Sequence, residues 1–215
     1  MRLNVLVFLR SVRESTPPRP ARLGLRVARA CVNQLEKAHH ITLIDPLEID
    51  TSKPFKPHFS YAQGEAPDAL ESLAQKIEAA DAYVMVSPEY NHAMSPALAD
   101  LLNHFGSSLF SFKPSAIVTY SAGQWGGARA AVNMRTFLAE LGCLPVSAMV
   151  HIPKAQEVLE ENGMFIKETE QWEGYLERTF SQLTWWGDAA RRQRLERQAQ
   201  QTAPFKKNPS QRNAP

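Results

Sequence analysis

Residues 82–106 read AYVMVSPEYNHAMSPALADLLNHFG and contain, in order, an apolar run, a polar loop and an amphipathic segment. The run at 82–86 is short and apolar, which is typical of a strand that is buried on both faces of a sheet. Ser95 and Pro96 then provide an N-cap residue and a first-turn proline, and apolar side chains recur at helical spacing until Gly106. This stretch therefore predicts one strand, one loop and one helix of an α/β fold.

The same alternation of apolar runs and helical periodicity extends along most of the chain. The five apolar runs occupy residues 3–9, 41–44, 82–86, 116–120 and 146–150. The segments between them place apolar residues at the i, i+3, i+4 and i+7 positions of helices. We therefore predict a five-stranded parallel sheet with helices on both faces, followed by a docked last helix that includes Trp172 and Trp186.

The fourth predicted helix, from Gly127 to Leu141, has two apolar stripes. One stripe consists of Ala128, Ala131, Val132 and Leu138, and the other consists of Met134, Phe137 and Leu141. A surface helix of a monomer needs only one such stripe. We therefore expect a partner subunit to cover the second stripe.

Charge is distributed unevenly along the 215 residues. The whole chain has 24 basic and 22 acidic residues, but from Asp188 onward seven basic residues stand against two acidic ones. The first 187 residues therefore carry 17 basic and 20 acidic groups, a balance of −3. The net charge of +2 for the whole chain is too small to make nucleic-acid binding the default interpretation. We predict a domain over residues 1–187 and a basic, disordered tail over residues 188–215.

The two cysteines, Cys31 and Cys143, lie far apart and form no metal-binding or redox motif with their neighbours. We predict no metal site, and we expect a reducing, cytoplasmic location. The apolar run at 3–9 is too short for a membrane span and is followed by Arg10 and Arg13 rather than by a small-residue cleavage pattern. We interpret it as a buried strand and expect no membrane insertion.

Three loops with unusual sequences follow predicted strands, at the edge where open parallel sheets bind their ligands. The first contains Ser11, Arg13, Ser15 and Thr16 ahead of a helix. Hydroxyl and guanidinium groups at a helix N-terminus suit a phosphate monoester, and a solvated, proline-stiffened loop is the alternative. Neither GxGxxG nor GxxxxGK is present, so a dinucleotide-binding or triphosphate-binding loop is not expected.

The other two loops combine backbone amides with flat side chains. The second, residues 87–94, contains Pro88, Glu89, Tyr90, Asn91 and His92, and the third reads SAGQWGG over residues 121–127. Glycines allow a backbone to approach a planar ligand closely, and Trp125 offers a stacking surface. Ordinary turns that lead into helices are the alternative for both loops. A lone carboxylate such as Glu89 is more typical of a capping or solvated group than of a general base.

Three segments together resemble one known family: SVR at 11–13, SPEYNHAMSPALADLLNHFG at 87–106 and SAGQWGGARAAVNMRTFLAELG at 121–142. They are similar to the NADPH-dependent FMN reductases over about residues 4–149. The resemblance implies a flavodoxin-like three-layer α/β/α sandwich with strand order 2-1-3-4-5, an FMN cofactor, and NADPH or NADH as co-substrate. Members are commonly homodimers, so it also implies a homodimer or a tetramer.

The resemblance further implies which residues contact FMN. Ser11, Arg13 and Ser15 would hold the phosphate, Pro88, Glu89, Tyr90 and Asn91 would line the ring and ribityl side, and Ser121, Ala122, Gly123, Gln124, Gly126 and Gly127 would close the other edge. No catalytic side chain is implied, because the electron chemistry belongs to the flavin. Arg10 departs from the family pattern, which usually has glycine at this turn out of the first strand.

The expected function is hydride transfer from NADPH to FMN, followed by transfer of two electrons to a small-molecule acceptor in a ping-pong scheme. The acceptor would be a quinone, a free flavin, an azo compound or a metal complex. A flavin-binding electron carrier, or a redox-responsive interaction protein with little turnover, is the alternative. Electron-transfer flavodoxins are usually strongly acidic, which disfavours the carrier. The chain has no GxSxG sequence, so a hydrolase with that nucleophile turn is not expected.

Overall fold

A parallel sheet forms the centre of the computed structural model, which describes residues 2–9, 22–49, 55–62 and 64–196. Its strands in this part of the chain are β1 (Asn4–Leu9), β2 (His40–Ile44), β3 (Ala82–Tyr90), β4 (Ala93–Met94), β5 (Pro114–Tyr120) and β6 (Leu144–Ile152). The five long strands are parallel and lie in the order β2-β1-β3-β5-β6, and β4 pairs antiparallel with the end of β3. The predicted order 2-1-3-4-5 missed only the two-residue β4, which shifts the later strand numbers by one.

Helices cover both faces of this sheet. They are α1 (Leu23–Leu35), α2 (Asp68–Ala79), α3 (Pro96–Asn103), α4 (Ser107–Phe110), α5 (Ala128–Glu140), α6 (Ala155–Val158) and α7 (Thr169–Glu196), with 3₁₀ turns at Pro46–Glu48 and His58–Ser60. None of the described helices is long and apolar enough to span a membrane. The predicted flavodoxin-like α/β/α sandwich is confirmed.

Alternation along β3 produces two separate cores, because successive side chains of a strand point to opposite faces. Val84 and Val86 pack with α1 and α7 on one face. Tyr83 and Met85 pack with α2, α3, α4 and α5 on the other face. Both faces of the strand are therefore apolar, which explains the unbroken apolar run in its sequence.

Helix α5 has one apolar face rather than two. Met134 is fully buried, and Phe137 and Leu141 pack against the same core as Ala131. Val132, which was assigned to the core stripe, is 64% exposed. The expectation that a partner covers the Met134 stripe is wrong, since at 3.6 residues per turn Met134 lies between Ala131 and Leu141 on one broad face.

Helix α7 does not end at Gly187, where the composition changes, but continues to Glu196. Arg194 donates to Oδ1 of Asp81 at 2.8 Å, and Arg191 lies 3.4 Å from Oδ2 of the same buried carboxylate. The predicted disorder is therefore wrong for residues 188–196, because these arginines have a buried partner that composition does not reveal. The rest of the predicted tail, residues 197–215, lies outside the described residues.

A buried lysine joins two helix ends at the amino edge of the sheet. Nζ of Lys113 donates to the carbonyl oxygens of Ile77, Glu78 and Leu109 at 2.7, 2.8 and 2.9 Å. Carbonyls in the last turn of a helix lack intrahelical partners, and this ammonium satisfies them in α2 and α4. Burial, with a smaller contribution from the nearby Arg194 charge, lowers the pKa of Lys113 to about 7.

Truncation after Gly187 is expected to lower the free energy of unfolding by about 1–3 kcal/mol, because Asp81 loses both of its arginine partners. Urea denaturation followed by circular dichroism measures this change. Truncation after Glu196 is the matched control and retains both ion pairs. Equal stability of the two shortened chains would show that the arginines do not hold α7.

The pKa of Lys113 predicts a specific pH dependence of stability. Between pH 7 and the ordinary lysine pKa of 10.5, the unfolded chain binds one proton more than the folded chain. The free energy of unfolding should therefore rise over this range, and this contribution to the slope should vanish in Lys113→Met. Urea denaturation of both proteins at pH 7, 8 and 9 measures how the free energy of unfolding changes with pH. An equal change in the two proteins would contradict the lowered pKa of Lys113.

Candidate functional site

The carboxyl ends of β1, β3 and β5 lie side by side. Leu9 pairs with Val86, and Pro88 pairs with Tyr120, so the loops that follow these strands share one edge of the sheet. Strand order also reverses here, since the chain moves from β1 outward to β2 and then returns to β3 on the other side. Such a switch point is where open α/β sheets bind ligands.

The first of the three loops lies outside the described residues. This holds for Ser11, Arg13 and Ser15, which were assigned to the phosphate, and for Arg10 and Thr16. Their roles stay predictions.

The ion pair at the exit of this loop is described, and sequence reasoning missed it. Arg22 donates to both carboxylate oxygens of Asp45 at 2.8 and 3.0 Å, and both side chains are largely buried. This bidentate pair joins the start of α1 to the end of β2. An arginine before a helix and an aspartate directly after a strand were the only signals available.

The second loop is a β-hairpin rather than an ordinary turn. Asn91 and His92 form its two-residue connection, with φ values of 49° and 64°. Positive φ at both central residues is typical of a type I′ turn, whose twist matches that of the hairpin strands. Asparagine and glycine are the usual residues in such a turn. Tyr90 is half-buried and pairs with Ala93, while Asn91 and His92 are exposed.

Ser87 connects this hairpin to α3. Its hydroxyl donates to the carbonyl of Pro88 at 2.8 Å and accepts from the amide of Ser95 at 2.9 Å. Ser95 is at the predicted N-cap position and Pro96 follows it, but the Ser95 side chain makes no capping hydrogen bond. The buried hydroxyl of Ser87 orders the start of this helix instead.

Glu89 directs its carboxylate away from the turn and toward α5. Oε1 accepts from Nε of Arg129 at 2.8 Å and lies 2.7 Å from the second guanidinium nitrogen. Oε2 accepts from the backbone amide of Ala130 at 3.4 Å. The expectation that a lone carboxylate here is a capping group rather than a base agrees with these contacts.

The third loop is closed by its own hydroxyl and by contacts to the loop after β6. Oγ of Ser121 donates to the carbonyl of Gly123 at 2.8 Å and accepts from the amide of Gly126 at 2.9 Å. The amides of Lys154 and Ala155 donate to the carbonyls of Gly123 and Ser121. The loop therefore has a defined shape although Ala122, Gly123, Gln124 and Trp125 are exposed.

Gly126 and Gly127 have φ values of 59° and 80° and pack directly on the ends of two strands. A Cβ on Gly126 would lie 2.9 Å from the carbonyl carbon of His151, and one on Gly127 would lie 2.8 Å from Cβ of Thr119. Beneath them, the Thr119 hydroxyl and Nδ1 of His151 are hydrogen-bonded at 2.8 Å. Burial lowers the pKa of His151, which favours the neutral ring. Sequence reasoning identified the glycines but not this support.

Gly123 differs from the other two glycines because a Cβ at this position would meet nothing within 4 Å. A side chain at this position would project into open space at the rim of the loop, while the Gly123 carbonyl already accepts from Oγ of Ser121 and from the amide of Lys154. A flat, polar ligand can therefore approach this side of the loop. Among the described residues, no group of three or more His, Cys, Asp or Glu side chains could hold a metal ion.

Gly127→Ala is expected to lower the free energy of unfolding by about 2–4 kcal/mol, because it adds both left-handed strain and a clash with Thr119. Gly123→Ala is the matched control in the same loop and should change stability by less than about 1 kcal/mol. Urea denaturation of both variants measures the difference. Similar losses in the two variants would contradict the close packing at Gly127.

Characterised proteins with related sequences are oxidoreductases by name. The chain is 36% identical over 110 residues to an NAD(P)H-dependent FMN reductase of Pseudomonas aeruginosa, which covers 49% of this chain and 59% of that protein. It is 39% identical over 72 residues to an NADPH azoreductase of a Bacillus species, a match that covers 34% of this chain and 40% of that protein. It is 36% identical over 81 residues to a quinone reductase of Escherichia coli, covering 36% and 43%. The chain thus spans about half the length of the curated relatives it matches.

Solved structures share the fold. The flavoenzyme FerB, an NAD(P)H:acceptor oxidoreductase from Paracoccus denitrificans, superposes with a TM-score of 0.66 at 17% identity, covering 85% of this chain and 97% of that one. A WrbA-like flavodoxin from Agrobacterium tumefaciens superposes with a TM-score of 0.52 at 19% identity, covering 88% and 98%.

The sequence model of one family matches residues 5–157. This range runs from the second residue of β1 to the end of β6 and beyond, and it includes the hairpin and the SAGQWGG loop. That family is described as NADPH-dependent FMN reductase, and the predicted resemblance is confirmed. This chain belongs to the NADPH-dependent FMN reductase family.

Proposed function

We propose that this protein is an FMN-dependent NAD(P)H oxidoreductase. It would take hydride from NADPH, or from NADH, and pass two electrons to a quinone, free flavin, azo compound or metal complex by a ping-pong scheme. The observation that carries the proposal is the open space beside Gly123, next to the tightly packed Gly126 and Gly127, at the switch point of the sheet. Family membership and the names of the quinone-reducing and azo-reducing relatives support it.

The described residues fit a flat, polar ring. The hairpin would supply Pro88, Glu89, Tyr90 and Asn91 on one side, and the SAGQWGG loop would supply Ser121, Ala122, Gly123, Gln124, Gly126 and Gly127 on the other. Open space beside Gly123 leaves room for the ring edge, which a side chain would otherwise occupy. Ser11, Arg13 and Ser15 would hold the phosphate.

When bound, FMN would supply the hydride and electron chemistry at N5, so the proposal assigns no catalytic side chain. The protein would contribute binding and orientation. Its two cysteines are buried, and burial raises the pKa of both thiols to about 12. Thiols in this state are poor nucleophiles, which supports assigning the redox chemistry to a bound cofactor rather than to Cys31 or Cys143.

We further propose a homodimer or a tetramer in a cytoplasmic location, with a catalytic domain that extends beyond the predicted boundary at residue 187, because α7 continues to Glu196. The apolar stripe on α5 no longer supports a dimer, because its residues lie in the protein's own core. The proposal therefore rests on the family resemblance. Light scattering coupled to size-exclusion chromatography measures the assembly state directly.

Purified protein is expected to carry or take up FMN, to lose its flavin absorption on addition of NADPH under nitrogen, and to regain it with excess benzoquinone. Steady-state oxidation of NADPH with quinone should then occur at a rate proportional to flavin content. Protein that remains colourless with added FMN would overturn the proposal. Bound flavin with a stable one-electron state and no turnover would identify an electron carrier instead.

A further inference from the structure

Gly127 is the N-cap residue of α5 and has no side chain with which to cap the helix. The first amides of a helix have no intrahelical acceptors, and serine, threonine, asparagine or aspartate commonly satisfies one of them. None of these residues fits at Gly127, because its φ is 80° and Thr119 leaves no space for a Cβ. The Ala128 amide donates to the carbonyl of Trp125, and a side-chain cap for the amides that follow it has to come from a residue other than Gly127.

Glu89 provides this cap from a position 40 residues earlier in the sequence than Arg129. Its Oε2 accepts from the amide of Ala130, and its Oε1 pairs with the guanidinium of Arg129 in the first turn of α5. A negative charge is also favourable at a helix N-terminus. The carboxylate is only 10% exposed, whereas the guanidinium of Arg129 is 46% exposed, so solvent screens the ion pair more than the contact with the Ala130 amide.

The hairpin that carries Glu89 needs such support. β3 and β4 share only two residue pairs, Glu89 with Met94 and Tyr90 with Ala93. The turn between them holds two residues other than glycine at positive φ, Asn91 and His92, which costs conformational energy. A hairpin this short is not stable in isolation, and its contacts with α5 keep it in place.

Arg129 extends the connection to the rim of the third loop. Its guanidinium carbon lies 5.8 Å from the centre of the Trp125 ring, within the range of a cation–π contact. Trp125 is 63% exposed, and Arg129 is about half-exposed. The ion pair with Glu89 therefore restrains Arg129, which contacts the exposed ring of Trp125.

We infer that Glu89 is a positioning residue that couples the two walls of the proposed flavin site. Its carboxylate sets the spacing between the β3–β4 hairpin and the SAGQWGG loop, and it orients Trp125 through Arg129. This inference rests on the proposed function for the identity of the ligand. The coupling itself is a property of the free protein and can be measured without FMN.

Glu89→Gln tests the inference with little change in side-chain shape. In the free protein, hydrogen exchange should become at least tenfold faster at the amides of Ser95, Gly126 and Ala130, which donate to Ser87, Ser121 and Glu89, while the amides of β1 and β5 stay protected. In FMN titrations followed by flavin fluorescence, the dissociation constant should rise at least tenfold. Arg129→Gln should have a smaller effect on both, since the Ala130 amide keeps its acceptor.

Arg194→Gln is the matched control, because it also breaks a largely buried ion pair but at the opposite edge of the sheet. It should lower the melting temperature without changing the FMN dissociation constant or exchange at the amides of Ser95, Gly126 and Ala130. The inference would be overturned if Glu89→Gln bound FMN within twofold of the wild-type affinity and showed wild-type rates of hydrogen exchange. If the unchanged protein does not bind FMN, the proposed function fails, and hydrogen exchange still decides whether Glu89 couples the loops.

Discussion

β3 hydrogen-bonds to β1 on one side and to β5 on the other, and this central position determines where the remaining parts of the molecule lie. Both of its faces are buried, so its alternating side chains divide the interior into two cores. Its carboxyl end lies beside the ends of β1 and β5, and the hairpin at the end of β3 contacts the start of α5 there. A ligand site at this edge follows from the pairing of strands rather than from any one loop.

The shape of the SAGQWGG loop depends on close packing of its glycines against the neighbouring strands. Gly126 and Gly127 can pack on the ends of β6 and β5 only because they lack side chains and adopt positive φ. The same property removes the side chain that would normally cap α5. Glu89 compensates across the sheet edge, so a requirement of close packing in one loop creates a dependence on the neighbouring one.

The amino edge of the sheet carries interactions of a different kind. Asp81 binds the amide of Asn4 and pairs with Arg191 and Arg194, while Lys113 satisfies the carbonyls at the ends of α2 and α4. The Asp81 ion pairs connect the long C-terminal helix to the sheet, and Lys113 connects α2 to α4. The carboxyl edge has ion pairs of its own, Arg22 with Asp45 and Arg129 with Glu89, but it also carries the exposed loop at residues 122–125.

Local patterns in the sequence were sufficient to predict the five long strands, the glycine loop, the family and the positions of α1, α2, α3, α5 and α7, but not the short helices α4 and α6. These features follow from periodicity, turn residues and short motifs, all of which are properties of neighbouring residues. Strand β4, the single apolar face of α5, the length of α7 and the role of Glu89 were decided by tertiary structure. Each depends on a partner distant in the chain, as Arg194 depends on Asp81, and such pairs form only when the folded sheet brings the two residues together.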